Sequence, residues 1–244
     1  GTRAACAKTL GLLRTPAARA ALIDALKVKA PKARRAVVAA LGQFRDDVAA
    51  GEALTELAKK GDASGFVEGE VARSLGKLHA KGAFELLTSM LERPAFQDAV
   101  RCGALDGFAE LRDARAWKPV LAALVPGQPV FGRRTAVLTL AKLAEAADKK
   151  TEAVDRIGQL LRDENFRVRL SAIDAASTLG DERMIGALST TPFLDGREQR
   201  LAREAIRTLR SKGPGKELAA LRGDLDKVKG DLRALQESVD AKKK

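Results

Sequence analysis

The amino-acid sequence predicts an all-α protein: a right-handed α-α superhelical solenoid of about seven helix pairs over residues 1–211, a linker at 212–216 and a heptad helix at 217–241. Three observations carry this expectation. Apolar anchors recur at Leu13, Phe44, Leu78, Leu111, Leu143, Leu179 and Leu209, at spacings of 31, 34, 33, 32, 36 and 30 residues, the period of a helix-pair array. Aromatic residues are 4% of the chain, tyrosine is absent, and the eight prolines fall mainly where helical patterns break, a helical composition. Beyond residue 216 the apolar period becomes an unbroken alternation of three and four.

The first element, Thr2 to Leu13, reads as the second helix of a unit whose first helix is not in the sequence. A solenoid ending there would expose an apolar edge, so the chain is expected to be the C-terminal part of a longer protein. Each later second helix carries apolar residues three and seven positions before its anchor: Leu41 and Val37, Leu75 and Val71, Phe108 and Ala104, Leu140 and Ala136, Ala176 and Ala172, Ile206 and Ala202. Those offsets lie on one helical face, so a single stripe of each second helix is buried. Cys6 occupies the same register in the first element and is expected to be a buried thiol, as is Cys102. Shorter helices are predicted between them, at 16–28, 48–60, 81–93, 114–125, 150–162 and 182–189. Punctuation at Ala30-Pro31, Gly61-Asp62, Arg93-Pro94, Pro126-Gly127-Gln128-Pro129 and Thr191-Pro192 separates the partners.

The words Val168-Arg169, Ala172 and Leu179-Gly180-Asp181, with Arg34, Val37 and Leu41-Gly42, Arg3 and Leu10-Gly11, and Val71 and Leu75-Gly76, resemble the short repeats of the HEAT family over residues 1–211. The resemblance implies a solenoid and no particular activity, since a fold does not determine function. Arginine recurs ten residues before the anchor, as Arg3, Arg34, Arg101, Arg133 and Arg169; Glu68 and Gln199 stand there in two copies. A cation in the first turn of a helix opposes the macrodipole unless a carboxylate or carbonyl holds it. Two readings follow: a structural ladder bonded to the inter-helix turns, with Asp98 and Asp163 as acidic candidates, or an arginine-lined inner surface for an anionic ligand.

In the tail, Leu218, Leu221, Leu225, Val228, Leu232, Leu235 and Val239 form a heptad seam. Glu217, Asp224 and Asp231 precede it in each heptad, and Arg222, Lys229 and Gln236 follow, an arrangement of mostly opposite sign across a parallel dimer. Gly223 and Gly230 weaken the helix by roughly 1 kcal/mol each. Homodimerisation through the tail and docking on a neighbouring surface both remain open.

Catalytic machinery is not evident. The single histidine, His79, and the two cysteines do not assemble a zinc-ligand pattern, and no phosphate-cradling glycine motif occurs. No catalytic, cofactor-binding or metal site is therefore expected, and no cofactor. A net charge of +12 invites nucleic acid; with Trp117 the sole tryptophan, stacking platforms are few, and a nucleic-acid partner is disfavoured. No run approaches the roughly 18 apolar residues of a membrane span, and a soluble, cytoplasmic protein is expected. The expected function is a non-catalytic scaffold whose partner is a protein or a missing N-terminal domain. Its architecture also looks like the C-terminal helical domain of zinc aminopeptidases of the aminopeptidase N type, which closes a substrate chamber. The alternatives are a free-standing interaction module, like the HEAT-like subunits that assist pigment attachment in phycobiliproteins, and nucleic-acid binding.

Overall fold

The computed structural model describes residues 2–212 together with 225 and 227–229. Thirteen α-helices follow one another through 2–212: α1 (Thr2–Leu13), α2 (Pro16–Asp24), α3 (Pro31–Leu41), α4 (Val48–Lys60), α5 (Gly65–Leu78), α6 (Ala83–Met90), α7 (Ala99–Leu111), α8 (Trp117–Ala122), α9 (Val130–Leu143), α10 (Lys150–Leu160), α11 (Phe166–Leu179), α12 (Arg183–Thr190) and α13 (Gly196–Lys212). Short 3-10 turns lie at Ala25–Lys27, Phe96–Asp98 and Ala114–Ala116, and no strand occurs among the described residues.

Local chemistry sets the boundaries. Thr15 caps α2 by accepting from the Ala18 N–H, ahead of a proline whose fixed φ suits the first helical turn. Asp47 caps α4 through the Ala50 N–H, and Asn165 accepts from the Arg167 N–H at the start of α11. At the other end of α11, Gly180 turns left-handed at φ 69°, the usual glycine stop.

The helices form two layers. Each odd-numbered helix packs on the next odd one along the whole array, whereas among the even helices only α2 with α4 and α10 with α12 pack substantially. A layer whose members touch continuously has the shorter arc, so the odd helices make the inner side of the solenoid. The core lies between the layers: Val37, Val71, Ala104, Ala136, Ala172 and Ala202 are buried, and so are Leu41, Leu75, Phe108, Leu140 and Ala176.

Glycine makes the inner layer tight. A Cβ on Gly11 would meet Ala40 at 3.0 Å, and one on Gly42 would meet the Ser74 Oγ at 2.7 Å. At the centre, a Cβ on Gly76 would sit 2.1 Å from the Gly107 carbonyl oxygen and one on Gly103 2.0 Å from that of Gly69, so α5 and α7 meet backbone to backbone. Hydroxyls cross the same seams: Ser74 Oγ donates to the Val38 carbonyl at 3.2 Å and Thr139 Oγ1 to that of Leu105 at 3.0 Å.

Three expectations need correcting. Cys6 is exposed and Cys102 only half-buried, and the first anchor, Leu13, is 60% exposed. The reason is shared for Cys6 and Leu13: among the described residues α1 packs chiefly on α2 and α3, and only Ala7 and Gly11 of its stripe are covered. The second correction concerns the Leu-Gly words. Gly11, Gly42 and Gly76 lie two residues before their anchors and face the next inner helix, whereas Gly180 follows its anchor and ends a helix. The third is minor: α13 runs on to Lys212, the first residue of the expected linker. Of the heptad seam, Leu225 and Val228 are helical and exposed, while Leu218, Leu221, Leu232, Leu235 and Val239 lie outside the described residues.

Candidate interaction surface

The recurrent arginines begin inner helices but reach backward. Arg34 Nη1 donates to the carbonyls of Val28 and Lys29 in the turn before α3, at 2.6 and 3.1 Å. Its Nε and Nη2 grip Asp62 of the next turn, at 2.5 and 2.8 Å. Arg169 repeats the pattern on the carbonyls of Asp163 and Glu164, with Glu198 as its carboxylate at 2.5 Å. Arg101 donates to the Leu91 carbonyl and to the Gln128 side chain, with Asp98 3.8 Å away. Arg133, almost fully buried, donates to the Leu124 carbonyl and forms a two-pronged pair with Asp163.

Several of these carbonyls belong to the C-terminal ends of outer helices, where unpaired oxygens carry the negative pole of the dipole. A guanidinium there is favoured, which removes the objection to a cation at an inner-helix N-terminus. The departures obey the same rule. Where Glu68 replaces arginine, Arg93 comes from the following turn, donates to the Ala58 carbonyl at 2.9 Å and lies 3.7 Å from Glu68, a rung with its charges exchanged. Gln199 donates to the Phe193 carbonyl at 2.9 Å as a neutral substitute. Arg3 is exposed, with no hydrogen bond or ion pair among the described residues. Arg34, Arg101, Arg133 and Arg169 thus each bond to a carbonyl of the preceding turn.

Charge pairing makes this rung chemistry sensitive to acid. The hydrogen bond from Arg34 holds Asp62 below the ordinary 3.8 of an aspartate, and the same bond raises Arg34. Arg183 lowers Asp181 in the same way. A carboxylate with a depressed folded pKa contributes stability that is complete above its unfolded value and is lost as pH falls through the folded one. Melting temperature should therefore drop between about pH 5 and pH 2, and Asp62→Asn should flatten that slope while lowering the plateau. An unchanged slope in the variant would deny the ladder this role.

The solvent side of the inner layer carries a second charge system. Arg35 Nε and Arg73 Nη1 both donate to Glu70 Oε2, at 3.1 and 2.9 Å, and Arg73 reaches Asp106 Oδ2 at 2.5 Å. Burial pulls Arg73 down, and the Asp106 bond together with the negative charges of Asp106 and Glu70 outweighs it, leaving its pKa raised. This network closes the middle of the face. Further along, a groove of about 440 Å³ opens between α9, α11 and α13, with Leu138, Leu170 and Leu201 on its walls and Arg134, Asp174, Arg197 and Glu204 as its charged lining.

Sequence reasoning did not single out these residues. Their register could have pointed to them: Arg73, Asp106, Asp174 and Glu204 all stand five positions before an anchor, and Arg35 and Arg134 nine before. Trp117 is buried at the start of α8 with its Nε1 donating to Glu152 at 3.2 Å. His79 ends α5 in the left-handed conformation, 3.2 Å from Arg45. Among the described residues no group of three or more His, Cys, Asp or Glu is placed to hold a metal ion, and no helix is long and apolar enough to cross a membrane.

A two-layer array of repeated helix pairs, tied by polar rungs across its turns, is a HEAT/armadillo-like repeat fold. The family model described as HEAT repeats matches residues 1–70. Among solved structures, the complex of CpcE and CpcF of phycocyanin lyase from Nostoc sp. PCC7120 is similar at 18% identity and a TM-score of 0.55, over 85% of this chain and 88% of that one. A designed armadillo repeat protein in complex with the peptide (KR)4 is similar at 19% identity and a TM-score of 0.50, over 78% of this chain and 98% of that one. No curated protein matches.

Proposed function

We propose that this chain is a non-catalytic scaffold that receives a protein partner on its inner layer. The observation that carries the reading is the contrast along that layer: ion pairs close its middle, while the groove beyond α9 leaves apolar walls and charged side chains open. A solenoid presents such a face as one extended surface. The phycocyanin lyase structure is itself a two-chain complex, which supports assembly with a second protein. That partner is a separate chain or a domain preceding Gly1 in a longer polypeptide. The narrower aminopeptidase reading draws nothing from the comparisons, since neither the matched family nor either similar structure is described as a peptidase.

A photo-crosslinking residue in place of Ser177, which lines the groove, should capture protein in cells of the source organism. The same residue in place of Ser189, exposed on outer helix α12, should not. Equal capture from both faces, or adducts of nucleic acid alone, would overturn the proposal.

A further inference from the structure

The groove contains an arginine whose counter-ion the rest of the protein would lead one to expect and that the described residues do not supply. Arg35 and Arg134 occupy the same register, nine residues before Phe44 and Leu143 respectively. On the next inner helix the corresponding position is eight before the anchor. For Arg35 that position is Glu70, which accepts from the Arg35 Nε at 3.1 Å. For Arg134 it is Ser171, buried at 7% exposure and too short to supply a carboxylate. Arg134 accordingly makes no ion pair or hydrogen bond among the described residues. Its Nε is the one buried side-chain nitrogen or oxygen there without a partner.

The opposite wall carries two carboxylates without a close cationic partner, although Arg197 also lines the groove. In the middle of the array the position five before the anchor pairs Arg73 with Asp106. Near the C-terminal end the corresponding residues are Asp174 and Glu204, both acidic: Asp174 makes no ion pair among the described residues, and Glu204 only a 4.0 Å approach to the exposed Arg200. Between these poles the groove is apolar, through Leu138, Leu170 and Leu201. An incoming carboxylate would give this guanidinium the charge-assisted bond that no described residue supplies.

We infer that the groove between α9, α11 and α13 receives a peptide segment of mixed charge, its carboxylate on Arg134, its basic group beside Asp174 and Glu204, and apolar side chains between. The inference rests on the reading of the inner layer as the partner face, and it names the chemistry that this face selects. Arg134 is the specificity determinant, because any peptide that leaves it unpaired still forfeits that bond.

The full chain is titrated with the blocked, fluorescent octapeptide Glu-Leu-Lys-Leu-Glu-Leu-Lys-Leu and with a version carrying glutamine for both glutamates. The charged peptide should bind at least tenfold tighter than the glutamine version, and Arg134→Gln should remove that preference while leaving the glutamine peptide unchanged. Ser171→Glu should build the missing rung internally: it should raise the melting temperature and abolish the preference together. Equal binding of the two peptides by the unmodified chain, or a preference that survives Arg134→Gln, overturns the inference. A Ser171→Glu protein that melts higher yet keeps the preference overturns it too. Because these measurements need no natural partner, they separate the inference from the proposed function: cellular capture through Ser177 with no peptide preference sinks the former alone.

Discussion

Arg133→Ala should be the most damaging single substitution at the ladder, destabilising the chain by about 3–5 kcal/mol. The Arg133 and Asp163 side chains are 7% and 10% exposed, so truncating one strands the other's charge away from water. Asp163→Ala should cost a similar amount, with the added loss of its bond to the Asn165 N–H. Replacing both by apolar residues of similar size should cost much less than the two single changes together, because the attraction of a buried pair is largely offset by the desolvation of its members. Arg115 and Glu85 supply the contrast. Their side chains are 59% and 65% exposed, and removing either should change stability far less, because solvent screens the pair. Urea unfolding of the single and double variants checks the order. Since repeats touch only their neighbours, hydrogen exchange should locate the loss in α8 to α11. Equal, small effects of Arg133→Ala and Arg115→Ala would show that the buried rungs do not hold the turns.

The second large effect is expected from adding a single methyl group at the centre of the inner layer. Gly103→Ala and Gly76→Ala would each press a Cβ within 2.0 to 2.1 Å of a backbone carbonyl oxygen on the facing helix. No side chain can rotate away, so α5 and α7 must separate, and a loss of about 3 kcal/mol or more is expected, the upper end for overpacking. Gly158 and Gly186 sit within outer helices α10 and α12, where a Cβ would meet nothing within 4 Å. Gly158→Ala and Gly186→Ala should therefore stabilise by about 0.5–1 kcal/mol, the helix preference of alanine over glycine. Thermal melts of the four variants test the sign at each site. A neutral Gly103→Ala would mean that the inner helices are not in backbone contact.

These two predictions differ in how far they could be read without coordinates. The recurrence of arginine ten residues before the anchor was visible in the text, and Asp163 could be suspected as a partner. What could not be read was direction, because Arg133 bonds to the Leu124 carbonyl behind it and to Asp163 of the next turn ahead. The exchanged rung was opaque for the same reason. Glu68 looked like a gap in the pattern, and only proximity shows Arg93, 25 residues on, reaching the Ala58 carbonyl in its place.

Glycine was harder still. Leu75-Gly76 and Leu179-Gly180 are the same word, yet Gly76 lies against Gly107 while Gly180 turns the chain at φ 69°. A dipeptide records that a side chain is missing; whether the space is needed by a neighbouring helix or by a backbone dihedral depends on what stands opposite. The Cys6 expectation failed on a related point, since a register position buries a residue only when a helix lies over it, and α1 is covered on one side.

By itself, then, the sequence determined the helical class, the repeat length, most of the buried stripe of the inner helices past α1 and the places where the chain turns. Those properties follow from apolar spacing and from caps, which act within one helix or one turn. The tertiary structure decided which polar groups meet, where backbones touch, and that Glu70 completes Arg35 while Ser171 leaves Arg134 open. These depend on pairs some 30 residues apart, brought together by stacking, and the energy of such a pair resides in its distance and burial, which no linear spacing encodes.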